Sequence, residues 1–217
     1  MISARIAHDG DLLLIAPVRG LASEADRLLA ELEAYGPTVV GFGLSPEELR
    51  GLTEYFVRAD AEPVVPLTGN ETAEVRGLVR FGEARVPNPA TVEGLRWAAA
   101  RSLPAEPLDP SDDRAASLFA EHIGYVELVR RTVRERRVAR NPPTPSTPDE
   151  FALAWDREIA RGAGSRALAT ARNRHLVRQA RALVERGGRV AVVVDRERFD
   201  GVRGLFEGPL PPEMGDA

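Results

Sequence analysis

The 217-residue sequence contains no cysteine and no lysine. The lack of cysteine excludes disulfide bonds, thiolate metal sites and cysteine nucleophiles. The lack of lysine excludes Schiff-base chemistry and the lysine of a phosphate-binding P-loop, and all 29 basic residues are arginines. Any fixed positive charge in a site is therefore a guanidinium, whose planar fork suits carboxylate and phosphate groups.

Long apolar runs are also lacking. No segment approaches the roughly 18 apolar residues of a membrane span, and the N-terminus shows no signal-peptide pattern. We therefore expect a cytoplasmic protein with no membrane partner. The net charge of −4 argues against nucleic acid as a partner.

The apolar segments alternate with helical patterns at both ends of the chain. Uninterrupted apolar runs at residues 12–18, 38–44 and 190–194 are typical of strands buried on both faces. This alternation predicts an α/β fold, a mostly parallel sheet flanked by helices, in a single domain over residues 1–217. A hairpin with its turn at residues 8–11 should precede the second strand.

Three further segments have distinct patterns. The pattern of residues 112–140 predicts a long helical stretch with Phe119, Ile123, Val126, Val129 and Val133 on one face, and residues 112–165 are predicted to form a helical insert or cap. Residues 61–90 predict loops with one or two short strands. The Pro- and Gly-rich residues 206–217 predict a loose C-terminal tail.

Two carboxylates follow apolar strands directly. Asp109 ends one predicted strand and Asp195 ends another, and strand ends of an open sheet converge on one crevice. Asp156, Arg172 and Asn173 lie on nearby helices, so these side chains predict a pocket of acids and arginines. The alternative is that Asp109 and Asp195 only cap the helices that follow them.

Two other patterns resemble phosphate-binding sites but do not favour one. The stretch "GFGLSPEEL" has Gly-x-Gly between a strand and a helix, but it lacks the third glycine of a dinucleotide site and its first helical turn is acidic. The run "RRTVRERRVAR" spreads six arginines around a helix, which favours a solvated face or a salt-bridged interface over a phosphate grip. We expect no cofactor.

The order of these pieces resembles the TraB/PrgY family, which is related to the Tiki peptidases and the ChaN-like proteins. The resemblance covers most of the chain. It depends on "YGPTVVGFGLSPEEL", "PAEPLDPSDD" and above all "ATARNRHLVRQARALVERGGRVAVVVDRERFDGV". The last stretch is similar to the family's Glu-Arg-Asn/Asp helix followed by a Gly-x-Val-x-x-Val-Val strand and a Gly-x-Gly-His loop.

The sequence departs from the family pattern at the positions on which the family's proposed chemistry depends. Arg19 stands where the family has a histidine after the first strand, and Gly43 stands where it has a glutamate after the second. After the last strand, Asp195 replaces a glycine and Arg198 lies near the histidine position. Only Asp109 and Arg172 match. Two fixed positive charges would repel a divalent cation, so we expect no metal.

Three functions follow as hypotheses. The first is a TraB-like protein that has lost the metal and catalytic motifs and binds an anionic small molecule or a protein partner at the strand ends, through Arg19, Asp109, Arg172, Asp195 and Arg198. The second is a hydrolase in which Asp195 or Glu197 is the general base and an arginine stabilises developing negative charge. The third is a structural protein that forms a homodimer through residues 112–165.

Overall fold

The structure is a computed structural model, and it describes residues 1–6, 12–57 and 68–208. The predicted turn at residues 8–11 and most of the predicted tail lie outside these ranges. The prediction of a loose tail is wrong for residues 206 and 207, because these residues end a helix and the Phe206 side chain is fully buried.

The described residues form a five-stranded sheet in the order β1-β2-β5-β3-β4. The strands are β1 Ile2–Ile6, β2 Leu12–Ala16, β3 Val39–Phe42, β4 Ala105–Pro107 and β5 Val190–Val193. The β1–β2 pair is antiparallel and the other pairs are parallel. The predicted α/β fold with a mostly parallel sheet is confirmed.

Helices cover the sheet and extend beyond it. They are α1 Ser23–Tyr35, α2 Pro46–Leu52, α3 Gly69–Leu78, α4 Pro89–Ala100, α5 Asp112–His122, α6 Tyr125–Arg140, α7 Pro148–Ile159, α8 Ala163–Glu185 and α9 Phe199–Glu207. A π-helical turn, Thr53–Val57, follows α2, and 3₁₀ turns occupy Val79–Phe81 and Arg196–Arg198.

Alternate residues of the central strands build two cores. Leu12 and Leu14 point to the layer of α8 and α9, whereas Leu13 and Ile15 point to the layer of α1 and α4. All four side chains are at least 96% buried, which explains why the strand sequences show no polar alternation. Each such burial contributes about 1.5–3 kcal/mol, so the centre of the sheet is a rigid base for the strand ends.

A third core joins α3, α6 and α7 at the end of the sheet where the parallel strands finish. Its buried side chains are Val18, Leu21, Ala73, Leu78, Val138, Phe151 and Trp155. Helix α7 begins with a capping box, in which the Thr147 side chain and Glu150 exchange hydrogen bonds with the backbone. The predicted insert of residues 112–165 comprises α5, α6, α7 and the first residues of α8.

The prediction of loops with short strands over residues 61–90 was wrong where the structure describes it, and residues 61–67 lie outside the described residues. Residues 68–88 contain α3 and a 3₁₀ turn, because Thr68 and Glu71 form a capping box that starts a helix. The predicted helical stretch over 112–140 is confirmed and consists of two helices, since the chain turns at Ile123 and Gly124. Ile123 is buried, but Val126, Val129 and Val133 are 46–61% exposed, so they do not pack as predicted.

None of the helices in the described ranges is both long enough and apolar enough to cross a bilayer.

Candidate functional site

Four parallel strands end at one cavity of about 690 Å³. Arg19 follows β2, Gly43 follows β3, Asp109 follows β4 and Asp195 follows β5. The Asp109 backbone N–H still donates to the Leu44 carbonyl at 3.0 Å, so the pairing of β3 and β4 continues to the cavity. This is the end of an open α/β sheet at which ligands ordinarily bind.

The structure brings the predicted site residues together. The cavity wall includes Arg19, Arg172, Asp195, Glu197 and Arg198, together with Asp156 and Asn173. The remaining one, Asp109, lies behind the wall with its side chain only 1% exposed. The two arginines that bind Asp109 lie between its carboxylate and the cavity.

Asp109 binds two guanidinium groups at once. Arg198 Nη1 and Nη2 donate to Asp109 Oδ2 and Oδ1, each at 2.8 Å, and Arg172 Nη2 donates to Oδ2 at 2.5 Å. Charge-assisted pairs of this two-point form are the strong ones. One buried negative charge thus holds two positive charges in fixed positions.

Neighbouring residues fix the Arg198 side chain further. The Asn173 Oδ1 atom of α8 accepts a hydrogen bond from Arg198 Nε at 2.9 Å. A Cβ atom on Gly43 would lie 3.2 Å from Arg198 Nη1. The glycine of the "GFGL" stretch therefore leaves room for the guanidinium to pass to Asp109.

The helix-cap alternative is wrong for Asp109, and for Asp195 it holds by position only. The Ser111 side chain caps α5 by accepting from the Arg114 N–H, and Asp109 has no part in that cap. Asp195 occupies the cap position of the 3₁₀ turn, but its side chain makes no capping hydrogen bond. Asp195 is therefore left to act in the cavity, whereas the buried Asp109 holds Arg172 and Arg198.

Arg19 lies at the other side of the cavity, where α3 crosses the end of β2. Its Nη2 donates to both carboxylate oxygens of Glu74, at 2.7 and 3.0 Å. The chain before it is fixed by the fully buried Glu24, which accepts the Val18 N–H at 2.9 Å. Arg19 also interacts electrostatically with Asp195 and Glu197.

Carboxyl groups outnumber guanidinium groups in the described wall. The arginines are Arg19, Arg85, Arg172 and Arg198, and the acids are Glu48, Glu71, Glu74, Asp156, Asp195 and Glu197. Burial raises the pKa of Glu74 and of Asp156. Burial, and next the nearby charge of Asp195, raise the pKa of Glu197 to about 8.

Two wall residues were missed in the sequence. Glu74 lies on α3, which was predicted as loop, although the Thr68-x-x-Glu71 pattern signals a helix start. Asn88 caps α4 through Oδ1, which accepts the Ala90 N–H at 3.2 Å, and its Nδ2 lies 3.5 Å from Asp195 Oδ1. The Asn-Pro pair before a helical pattern signals that cap.

The described residues contain no group of three or more histidine, cysteine, aspartate or glutamate side chains arranged to hold a metal ion. Arg172 and Arg198 occupy the space beside Asp109, and Arg19 is paired with Glu74. The arrangement that is present can hold an anionic oxygen at one side and can move protons at the other.

No family model and no curated protein matches this chain. The resemblance to the TraB/PrgY family therefore stays a prediction.

Proposed function

We propose that the cavity is the active site of a hydrolase in which Glu197 and Asp195 form an acid–base pair. The observation that carries the proposal is the position of Glu197. Its side chain lines the same 690 Å³ cavity as Asp195 and Arg19, two residues after Asp195 at the end of β5. Two carboxyl groups in unlike surroundings are the usual arrangement for acid–base catalysis.

The two carboxyl groups take different roles. Burial and the Asp195 charge raise the pKa of Glu197 to about 8, so Glu197 carries a proton at neutral pH. Asp195 accepts a proton from a water molecule as the water oxygen bonds to the electrophilic carbon of the substrate. Glu197 gives its proton to the leaving oxygen or nitrogen as the bond from that atom to carbon breaks.

Arg19 supplies the positive charge next to this pair. It interacts with Asp195 and Glu197 and is held in place by Glu74. A fixed guanidinium in a partly enclosed cavity stabilises negative charge that develops on a substrate oxygen, and it does so with little reorganisation.

The test is hydrolysis of nitrophenyl esters, amides and glycosides by the wild-type protein, Glu197→Gln and Glu185→Gln. Glu185 is an exposed acid at the end of α8 and serves as the control. We expect a wild-type rate that falls as pH rises above about 8, a loss of about 100-fold or more in Glu197→Gln, and no change in the control. Hydrolysis of none of the three classes, or hydrolysis that Glu197→Gln leaves unchanged, contradicts the proposal.

A further inference from the structure

Arg172 and Arg198 form a guanidinium pair with one uncompensated positive charge. Both donate to Asp109, whose side chain is 1% exposed, and Asp109 supplies a single negative charge for the two of them. The pair is held from the protein side by three hydrogen bonds of 2.5–2.8 Å. Its other side belongs to the cavity wall.

The pair keeps donors for a ligand. The Arg172 side chain is 43% exposed, and its Nε is buried with no hydrogen-bond partner among the described residues. Because this Nε atom is closed off from solvent, a ligand oxygen reaches Arg172 through the exposed part of its side chain, where a guanidinium N–H can donate to a carboxylate. Asn173 holds Arg198 Nε, which keeps the second guanidinium from turning away.

The rest of the wall limits how much negative charge a ligand can carry. The wall carries six acids, and its two other arginines are already paired, Arg19 with Glu74 and Arg85 with Glu83. Arg19 follows β2 and Asp109 follows β4, three strands away in the sheet. At about 4.8 Å per strand, the two sides of the cavity are roughly 14 Å apart.

We propose that Arg172 and Arg198 bind the one anionic group of a small substrate, of the carboxylate class, and that the acidic remainder of the cavity rejects polyanions such as pyrophosphate. The assignment names the substrate class of the proposed hydrolase, and so it rests on that function. The anionic group anchors the substrate at the β4 side and directs its uncharged part toward Asp195 and Glu197.

The experiment measures stabilisation by sodium acetate and by sodium pyrophosphate against sodium chloride at equal ionic strength, using thermal unfolding of the full chain. The variants are Arg172→Gln and, as the matched control, Arg166→Gln, an exposed arginine of the same helix that does not line the cavity. Acetate is the probe because it carries the anionic group alone.

We expect acetate to stabilise the wild-type protein and Arg166→Gln equally and to bind Arg172→Gln at least tenfold more weakly. Pyrophosphate should stabilise no more than chloride does. The assignment is overturned if acetate has no effect, if Arg172→Gln retains acetate affinity, or if pyrophosphate binds more tightly than acetate.

Glu197→Gln separates this assignment from the hydrolase proposal. It should bind acetate as the wild-type protein does, because no hydrogen bond or ion pair in the described part of the chain joins the Glu197 side chain to Arg172 or Arg198. If acetate binding depends on Arg172 but the protein hydrolyses none of the substrates, the anion-binding assignment stands and the hydrolase proposal is contradicted. If hydrolysis depends on Glu197 but acetate does not bind, the hydrolase proposal stands and the anion-binding assignment is overturned.

Discussion

Arg198 and Asp109 lie 89 residues apart in the chain and form a two-point ion pair with both N···O distances at 2.8 Å. The pair joins the end of β5 to the end of β4, although β3 separates these strands in the sheet. It is possible because the intervening strand is followed by Gly43, which has no side chain to block the guanidinium.

Gly43→Ala should displace Arg198. The new Cβ would lie 3.2 Å from Nη1 and 3.4 Å from Leu176 and Val194 side-chain atoms, so we expect destabilisation by about 1 kcal/mol and weaker acetate binding. Gly51→Ala is the control: it lines the same cavity within α2, and its Cβ would meet no atom within 4 Å. It should stabilise the protein by up to about 1 kcal/mol. Urea unfolding measures both, and equal stabilities of the two variants would contradict the account.

Asp109→Asn should be far more damaging than a change at an exposed aspartate. The amide leaves two guanidinium groups together without the buried charge that holds them, which costs about 3–5 kcal/mol. Asp112→Asn, in the exposed first turn of α5, should cost under about 1 kcal/mol. Urea unfolding distinguishes the two, and a small effect at Asp109 would show that the ion pairs add little.

The sequence was sufficient for the sheet and for part of the cavity. The apolar runs of β2 and β5 have no polar alternation because both faces of the sheet are covered, and this pattern is visible without a structure. Asp109 and Asp195 could be predicted at one edge, since parallel strand ends converge. What joins them could not be predicted, because the Arg198–Asp109 pairing depends on contacts between distant parts of the chain.

The misjudged segments were those with weak local patterns. In α6 the spacing of Val126, Val129 and Val133 is helical, but spacing does not show whether a face meets a core or solvent. In α3 the only local indication of a helix was the capping pattern of its first turn, whereas the surrounding prolines and glycines indicated a loop. Glu74 was missed for that reason, and with it the partner of Arg19.

Gly77→Ala should loosen the helices that cover the cavity. A Cβ on Gly77 of α3 would lie 2.4 Å from the Phe151 ring of α7, so Phe151 would have to move within a packed core. We expect a loss of about 1–3 kcal/mol in the free energy of unfolding. Gly69→Ala, at the start of the same helix, meets no atom within 4 Å and should be near neutral. Thermal unfolding tests both, and a neutral Gly77→Ala would contradict the packing of α3 against α7.

The homodimer through residues 112–165 stays a prediction, and α6 is where it should form. Val126, Val129 and Val133 share one side of α6 and are 46–61% exposed, so they form the apolar strip that a second copy of the chain would cover. Light scattering should give twice 23.6 kDa for the wild-type protein and for Val79→Asp, an exposed valine elsewhere, but a monomer for Val129→Asp. A wild-type monomer would contradict this prediction.

Glu197→Gln should stabilise the protein at alkaline pH while abolishing hydrolysis. An unfolded chain releases the Glu197 proton near its usual pKa of 4.5, and the folded protein releases it near 8. Between these values the folded state holds a proton that the unfolded state lacks. The free energy of unfolding therefore falls as pH rises, by up to about 1.4 kcal/mol per pH unit. Glu197→Gln removes this loss, and Glu185→Gln retains it. Urea unfolding at pH 5 and pH 8.5 gives the comparison, and equal pH dependence in both variants would contradict it.

The most direct test of the account is the titration of the Glu197 carboxyl carbon by NMR, with its signal assigned by its loss in Glu197→Gln. We expect a midpoint near pH 8, and a lower midpoint in Asp195→Asn, because the neighbouring negative charge is then removed. A midpoint near 4.5 that Asp195→Asn leaves in place would contradict the proposal that Glu197 is the proton donor of an active site.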